Sequence, residues 1–320
     1  MSRRATGKVV ALHLAIIAVL FCAQFVLPAY HHTNLARIMV LATFAMAYNV
    51  LFGYTGLMSL GHAMFFAAGM YGTGLSVYYL EFTALSGFFI GVGAAMMWAI
   101  VFASFALRTS GVSFLIVTMM FGQAAYLLIL YFNKVTLGDQ GFTLSSTINS
   151  IDLFGASFPL ADANVKFNVA WIVFTACFAI SILLITSPIG RALIAIRENE
   201  ERTRLLGYNT YLNKMLALAI SGAMAGAAGA TYALLFSYVG ASFAAILYSI
   251  YPLLWTLLGG AGTIIGPLLG TGLMFYLVDI TSSYTSAYLF VVGGSLLLLV
   301  LYFPQGIMGT LRDRWLKWLP

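Results

Sequence analysis

The sequence predicts an all-α polytopic membrane protein. It has about ten transmembrane helices (eight to eleven), both termini on the cytoplasmic side, glycine-broken segments and one amphipathic helix held outside the bilayer. Three observations carry this. Of 320 residues, 62% are hydrophobic and only 8% charged, against about 45–50% and about 25% in soluble domains. The apolar residues come in long unbroken runs, whereas the strands of a membrane barrel alternate apolar and polar positions. The basic residues gather in short segments between those runs, as they do in helical membrane proteins that orient by charge. Disorder is excluded by the hydrophobicity. A nucleic-acid partner is not implied by the net charge of +6, because the basic residues form no common patch.

The runs follow in order. The first is Val9 to Leu27, behind Arg3, Arg4 and Lys8 and closed by Pro28. It is span-length, and its bulky exit does not read as a cleavage site, so it is a first helix rather than a signal peptide. Further runs lie at about 36–53, 61–80, 87–107, 111–132, 167–186, 214–238, 245–258, 266–281 and 287–303. Each is near or somewhat below the roughly 20 residues that a bilayer needs. The pairs flanking Gly53–Gly61 and Gly259–Gly266 are short and read as broken helices or re-entrant segments. Cys22 and Cys177 lie within apolar runs and imply neither a disulfide nor a metal site.

Placing the N-terminus inside puts 12 of the 15 Lys and Arg on the cytoplasmic side; Arg37, Lys134 and Lys166 stay outside. An even number of spans returns the C-terminus to the inside. One domain is therefore expected over residues 1–320, with a cytoplasmic N-tail (1–8), a periplasmic loop (133–166), a cytoplasmic loop (187–213) and a cytoplasmic C-tail (304–320). Tyr78, Tyr79, Tyr248, Tyr251, Tyr284, Trp315 and Trp318 fall near run ends, as an interfacial belt does. The adjacent His31 and His32 sit at a run exit and read as interfacial.

The loop at 187–213 holds a second kind of helix. Ser187-Pro188 is a start signal. Ile189, Leu193 and Ile196 recur at i, i+4, i+7 as one apolar stripe. The other face carries Arg191, Arg197, Glu198, Glu200, Glu201, Arg202 and Arg204, which are seven of the chain's 24 charged residues. Glu198–Arg202 and Glu200–Arg204 have the spacing of helical ion pairs, and Gly207 that of a C-cap. One or two short helices are expected, too polar to cross a bilayer. They are either a solvated surface loop or a docking element for a cytoplasmic protein, and the concentration of charge favours docking.

At these residues the chain resembles a known family. Ser187-Pro-Ile-Gly-Arg-Ala-Leu-Ile-Ala-Ile-Arg-Glu-Asn-Glu200, Leu206-Gly-Tyr-Asn209 and the glycine-rich run at 221–230 are similar to the conserved loop region of bacterial branched-chain amino acid ABC transporter permeases of the LivM type. Asn49-Val-Leu-Phe-Gly-Tyr-Thr-Gly-Leu-Met-Ser-Leu-Gly-His-Ala63, Leu107-Arg-Thr-Ser-Gly-Val-Ser-Phe-Leu-Ile-Val-Thr118 and Leu258-Gly-Gly-Ala-Gly-Thr-Ile-Ile-Gly-Pro267 match three other blocks in the family's order. The resemblance implies an importer subunit of the bacterial inner membrane. Its implied partners are cytoplasmic ABC ATPase subunits, a second (LivH-type) permease and a periplasmic solute-binding protein. The implied solutes are branched-chain amino acids, or urea, short amides or aromatic acids. It makes 187–207 the coupling helix that docks on an ATPase, with Arg191, Arg197, Glu198, Glu200 and Glu201 as its contact residues.

Gly259-Gly-Ala-Gly-Thr-Ile-Ile-Gly266 is followed by Pro267, so it is no phosphate-binding loop. No constellation of nucleophile, base and orienter occurs, no metal or cofactor site is expected, and the chain reads as non-catalytic. Asn49, Tyr54, Thr55, Ser59 and His62 form the most polar stretch among the spans. They read either as a lining of the solute path or as a packing and turn motif with a satisfied histidine. Gly222 and Gly226 at i, i+4 predict close helix packing. A self-sufficient secondary transporter or channel is the alternative reading; proton coupling in one requires titratable groups within the bilayer.

Overall fold

The computed structural model describes residues 3–144, 150–153 and 156–314. Trp315, Lys317 and Trp318, and the tails at 1–2 and 315–320, lie outside the described residues, as do the side chains of Arg3, Arg4, Lys8 and Asp152.

Each apolar run is helical. The helices are α1 (Arg3–Val26), α2 (Ala29–Asn49), α3 (Ala63–Leu80), α4 (Ala84–Ala106), α5 (Gly111–Tyr131), the single turn α6 (Asn133–Thr136), α7 (Ala163–Thr186), α8 (Pro188–Glu198), α9 (Glu200–Leu205), α10 (Thr210–Phe236), α11 (Ile246–Gly259), α12 (Gly266–Tyr284), α13 (Tyr288–Tyr302) and α14 (Gly306–Arg314). Helix α2 runs on without interruption into a π-helical turn, Val50–Tyr54. Among the described residues five stretches are long and apolar enough to cross a membrane: Tyr30–Tyr54, Ala84–Ala106, Gly111–Tyr131, Ala163–Thr186 and Thr210–Phe236. Ala11–Val26, Ile246–Gly259 and Phe290–Leu299 are shorter apolar helices. The protein is an all-α membrane protein.

The expected outer loop carries two short antiparallel pairs. Strand β1 (Phe142–Thr143) pairs with β4 (Tyr238–Val239), and β2 (Ser150–Leu153) with β3 (Ala156–Pro159). The first pair ties the loop to the chain just beyond α10.

Helix α10 is the axis of the bundle and packs on α2, α3, α4 and α7. Its small residues explain the intimacy. A β-carbon at Gly222 would overlap that of Ala99 on α4, and one at Gly226 that of Ala95. Without a hydrophobic drive between helices in lipid, such close van der Waals contact is what holds spans together. Helices α4 and α5, equally apolar, turn Met97, Phe105, Val112 and Met120 outward, as a helix apolar all round does when lipid is its solvent.

His32, at its run exit, is buried, with Nδ1 2.9 Å from Asn164 Oδ1 and Nε2 3.0 Å from the Leu27 carbonyl oxygen. Two expectations are corrected. Ile189 is exposed, and Ala192 takes its place beside Leu193 and Ile196 on the buried stripe. The pairs Glu198–Arg202 and Glu200–Arg204 do not form. Asn199, extended at φ −159°, breaks the charged segment into α8 and α9 and caps α9 by accepting from Arg202 N–H at 2.8 Å. Glu200 pairs instead with Lys214 of α10 at 2.6 Å.

Candidate functional site: a junction of two broken segments

Between Tyr54 and Ala63 the chain leaves the helical state inside an apolar bundle. Its buried backbone polar groups must find partners in the protein. The turn keeps Gly56 N–H on the Phe52 carbonyl at 3.1 Å and Leu57 N–H on that of Leu51 at 3.0 Å. Beyond it, hydroxyls from separate parts of the chain accept the freed donors. Leu60 N–H donates to Thr118 Oγ1 of α5 at 3.1 Å, Gly61 N–H to Ser59 Oγ at 3.3 Å, and Ala63 N–H to Ser249 Oγ of α11 at 2.9 Å. The break is therefore stapled to two other helices.

The second break, Gly260 to Ile265, joins α11 to α12 and lies against the first. Asn49, the last residue of α2, spans the two. Its Nδ2 donates to the Thr263 carbonyl at 2.8 Å and its Oδ1 accepts from Gly262 N–H at 2.9 Å. This single side chain replaces both halves of a backbone pairing. Glycine is required opposite it, since a β-carbon at Gly53 would land on Asn49 Oδ1. Thr263 completes the turn: its Oγ1 donates to the Gly260 carbonyl at 2.7 Å and accepts from Gly266 N–H at 3.2 Å, starting α12.

The amphipathic helix reaches this junction. Ser187 caps α8 by accepting from Gly190 N–H at 3.2 Å, and Leu193 and Ile196 bury its apolar stripe. Arg197, in its last turn, donates from a guanidinium nitrogen to the Gly53 carbonyl. Gly56, at φ +78°, lies along the Arg197 stem, where a β-carbon would come within 3.1 Å of Cγ. The C-terminal end of a helix carries partial negative charge, so a cation here suits the end of the α2 rod.

Beside α9 lies an open polar cleft of about 760 Å3. It is lined by Arg108, Thr109 and Ser110 of the α4–α5 turn, by Glu200, Glu201 and Arg204, and by Tyr208 to Tyr211. Lys214 forms its inner wall, nearly buried and neutralised by Glu200.

Among the residues singled out from sequence, the structure brings Asn49 and Arg197 together around Gly53, with Tyr54 and Thr55 next in the chain. Tyr54 is buried, and Thr55 is buried with its hydroxyl donating to the Val50 carbonyl at 3.0 Å. Ser59 and His62 lie further along the first break, where Ser59 is buried and accepts from Gly61 N–H. His62 is fully buried in an aromatic cage of Phe44, Tyr48 and Phe65, with Nε2 3.4 Å from Ser221 Oγ. Arg191, Glu198 and Glu201 are exposed, and Glu201 alone of these three lines the cleft. Sequence reading missed Thr118, Ser249, Gly262, Thr263 and Lys214. Gly262 and Thr263 carried a signal as part of a glycine-rich run, and Thr118 as the end of the block from Leu107. Among the described residues no group of three or more His, Cys, Asp or Glu is placed to hold a metal ion.

Comparison with known proteins agrees with the motifs. The chain is 27% identical over 309 residues to the high-affinity branched-chain amino acid transport system permease protein LivM of Salmonella typhimurium, covering 86% of this chain and 69% of that one. It is 28% identical over 284 residues to the corresponding LivH of Escherichia coli, covering 84% and 91%. A shorter match, 30% over 120 residues, is to the autoinducer 2 import system permease protein LsrC of Photorhabdus laumondii, covering 36% and 35%. No solved structure matches. A family model described as branched-chain amino acid transport system / permease component matches residues 32–301, and the chain belongs to that family.

Proposed function

We propose that this chain is the transmembrane subunit of an ATP-driven importer in a bacterial inner membrane. It carries branched-chain amino acids, delivered by a periplasmic binding protein, into the cytoplasm. A second permease completes the path and two cytoplasmic ATPase subunits drive it. In this reading residues 1–320 form one permease domain with both termini inside. The loop at 133–166 faces the periplasm, and α8, α9 and the polar cleft face an ATPase through Arg191, Glu198, Glu200 and Glu201.

The observation that carries the proposal is the hydrogen bond from Arg197 to the Gly53 carbonyl. It links the amphipathic helix α8 to the point where two interrupted spans meet. A push on α8 passes to the end of the α2 span through Arg197 and on to the 260–265 break through Asn49, which bonds Gly262 and Thr263. Irregular backbone at such a point is where helical transporters bend and where their paths are built. Tyr54, Thr55, Ser59 and His62 then sit on the moving segment beside the path.

The test is ATP-dependent leucine uptake in proteoliposomes, with and without the ATPase subunits. The expected result is uptake only with the ATPases and binding protein present. Uptake by this chain alone overturns the proposal in favour of a secondary transporter. Reversing the charges at Arg197, Glu198 and Glu201 together is expected to uncouple hydrolysis from uptake.

A further inference from the structure

A cleft of about 560 Å3 opens at the end of the bundle opposite α8 and α9. Helices α2, α10, α11, α12 and α13 and the turn Ala241–Ala244 wall it, and Tyr232, Phe243, Tyr248, Tyr251 and Trp255 make it predominantly aromatic. Tyr248 and Tyr251, which read in sequence as interfacial, face this space.

Two charged residues also line it, Arg37 of α2 and Asp279 of α12. Arg37 is the only charged residue between Lys8 and Glu81, and Asp279 the only one between Lys214 and Arg312. Two lone charges of opposite sign, far apart in sequence, thus line one cavity. Arg37 is half-buried on α2, and Asp279 is exposed in the last turns of α12. They do not neutralise each other: no ion pair joins them. The Arg37 guanidinium lies over the Phe236 ring, 4.7 Å from its centroid, and its buried Nε has no hydrogen-bond partner.

We propose that this cleft is a binding site for a zwitterionic α-amino acid with an apolar side chain. Arg37 takes the carboxylate through its planar fork, Asp279 takes the ammonium, and the aromatic wall takes the side chain. An anion has no use for Asp279 and a cation none for Arg37; only a ligand carrying both charges uses the pair. The volume is that of a small-molecule site, with few polar groups set in an apolar wall, and Arg suits bidentate carboxylate recognition. The inference rests on the import reading and adds to it that this subunit itself recognises the solute after delivery.

The experiment is calorimetric titration of the assembled permease–ATPase complex in nanodiscs, with leucine, leucinamide (no carboxylate) and 4-methylpentanoate (no ammonium). Each missing charge-assisted contact is expected to weaken binding about ten-fold. Asp279→Asn is expected to abolish leucine's advantage over 4-methylpentanoate while keeping that over leucinamide. Arg37→Gln is expected to do the reverse, and Arg37→Lys, which keeps charge without the fork, to shrink the same ratio in part. A residue of purely structural importance would not split the two ratios. If the complex imports leucine and neither ratio responds, the cleft assignment falls and the import reading stands. If the complex imports no branched-chain amino acid, both fall. If leucine binding appears only in phosphatidylcholine discs and vanishes in phosphatidylethanolamine, whose primary ammonium, unlike the quaternary one of choline, can donate hydrogen bonds to Asp279, the cleft is a lipid site and the proposal is overturned.

Discussion

Arg197 and Gly53 are 144 positions apart and joined by one hydrogen bond, guanidinium to carbonyl. The donor stands at the end of the charged helix α8, and the acceptor in the π turn that ends the α2 span. The contact ties the amphipathic helix to the turn where the α2 span ends. Arginine suits the role because it stays charged and offers several donors in a fixed plane.

Arg197→Gln is expected to raise the ATP hydrolysed per leucine imported by about ten-fold, the weight of one charge-assisted hydrogen bond. Arg197→Lys should fall between the two. Paired measurements of phosphate release and uptake in proteoliposomes check this; an unchanged ratio removes Arg197 from the coupling path.

Asn49→Ala strands the Gly262 amide and the Thr263 carbonyl, both within a buried region. Each orphaned group costs about 1–3 kcal/mol. Thermal unfolding of the purified subunit should therefore shift clearly downward. Asn49→Asp should recover only part of it, since a carboxylate accepts from Gly262 but cannot donate to Thr263.

Gly222→Ala forces a methyl group onto that of Ala99, an overpacking worth about 1–3 kcal/mol. Ala99→Gly reopens the space, so the double variant should regain most of the loss. A double-mutant cycle on thermal stability reads the coupling; simple additivity would show that the α4–α10 approach is not set by this pair.

Glu200→Ala should destabilise the α9 region by about 2 kcal/mol, between the values for exposed and buried ion pairs, because it leaves the nearly buried Lys214 uncompensated. Glu201→Ala, one residue on and exposed, should cost almost nothing. Limited proteolysis across 199–208 distinguishes the two: the Glu200 variant should be nicked first.

With Cys22 and Cys177 replaced by alanine, a single cysteine at Arg191 should react with a membrane-impermeant maleimide only after the cells are opened. One at Lys134 should react in cells whose inner membrane is intact. The reverse pattern would invert the proposed orientation.

Much of the fold was legible because apolar runs in lipid leave the backbone only its own hydrogen bonds. Every run became a helix, most within a few residues of the expected bounds; α2 starts at Ala29, seven residues before its run. The Ser187 cap, the helix break before Gly207 and the close-packing face at Gly222 and Gly226 followed from local chemistry. The ion pairs of the charged loop did not: Asn199 ends the helix between Glu198 and Arg202, and Lys214 of another helix takes Glu200 from Arg204. Nor did the burial of His32, which depends on where Asn164 of another helix lies.

The amino-acid order alone determined a helical membrane protein, its interruptions at 53–61 and 259–266, a polar helix between spans, and the family. These follow from local propensity and hydropathy, which neighbours in the chain decide. Only the tertiary structure decided that the two interruptions meet, that Asn49 and Arg197 clasp them, and that the solitary charges Arg37 and Asp279 line one aromatic cleft. Those pairings join residues more than a hundred positions apart, and their energies exist only once packing has brought the groups together and driven water out.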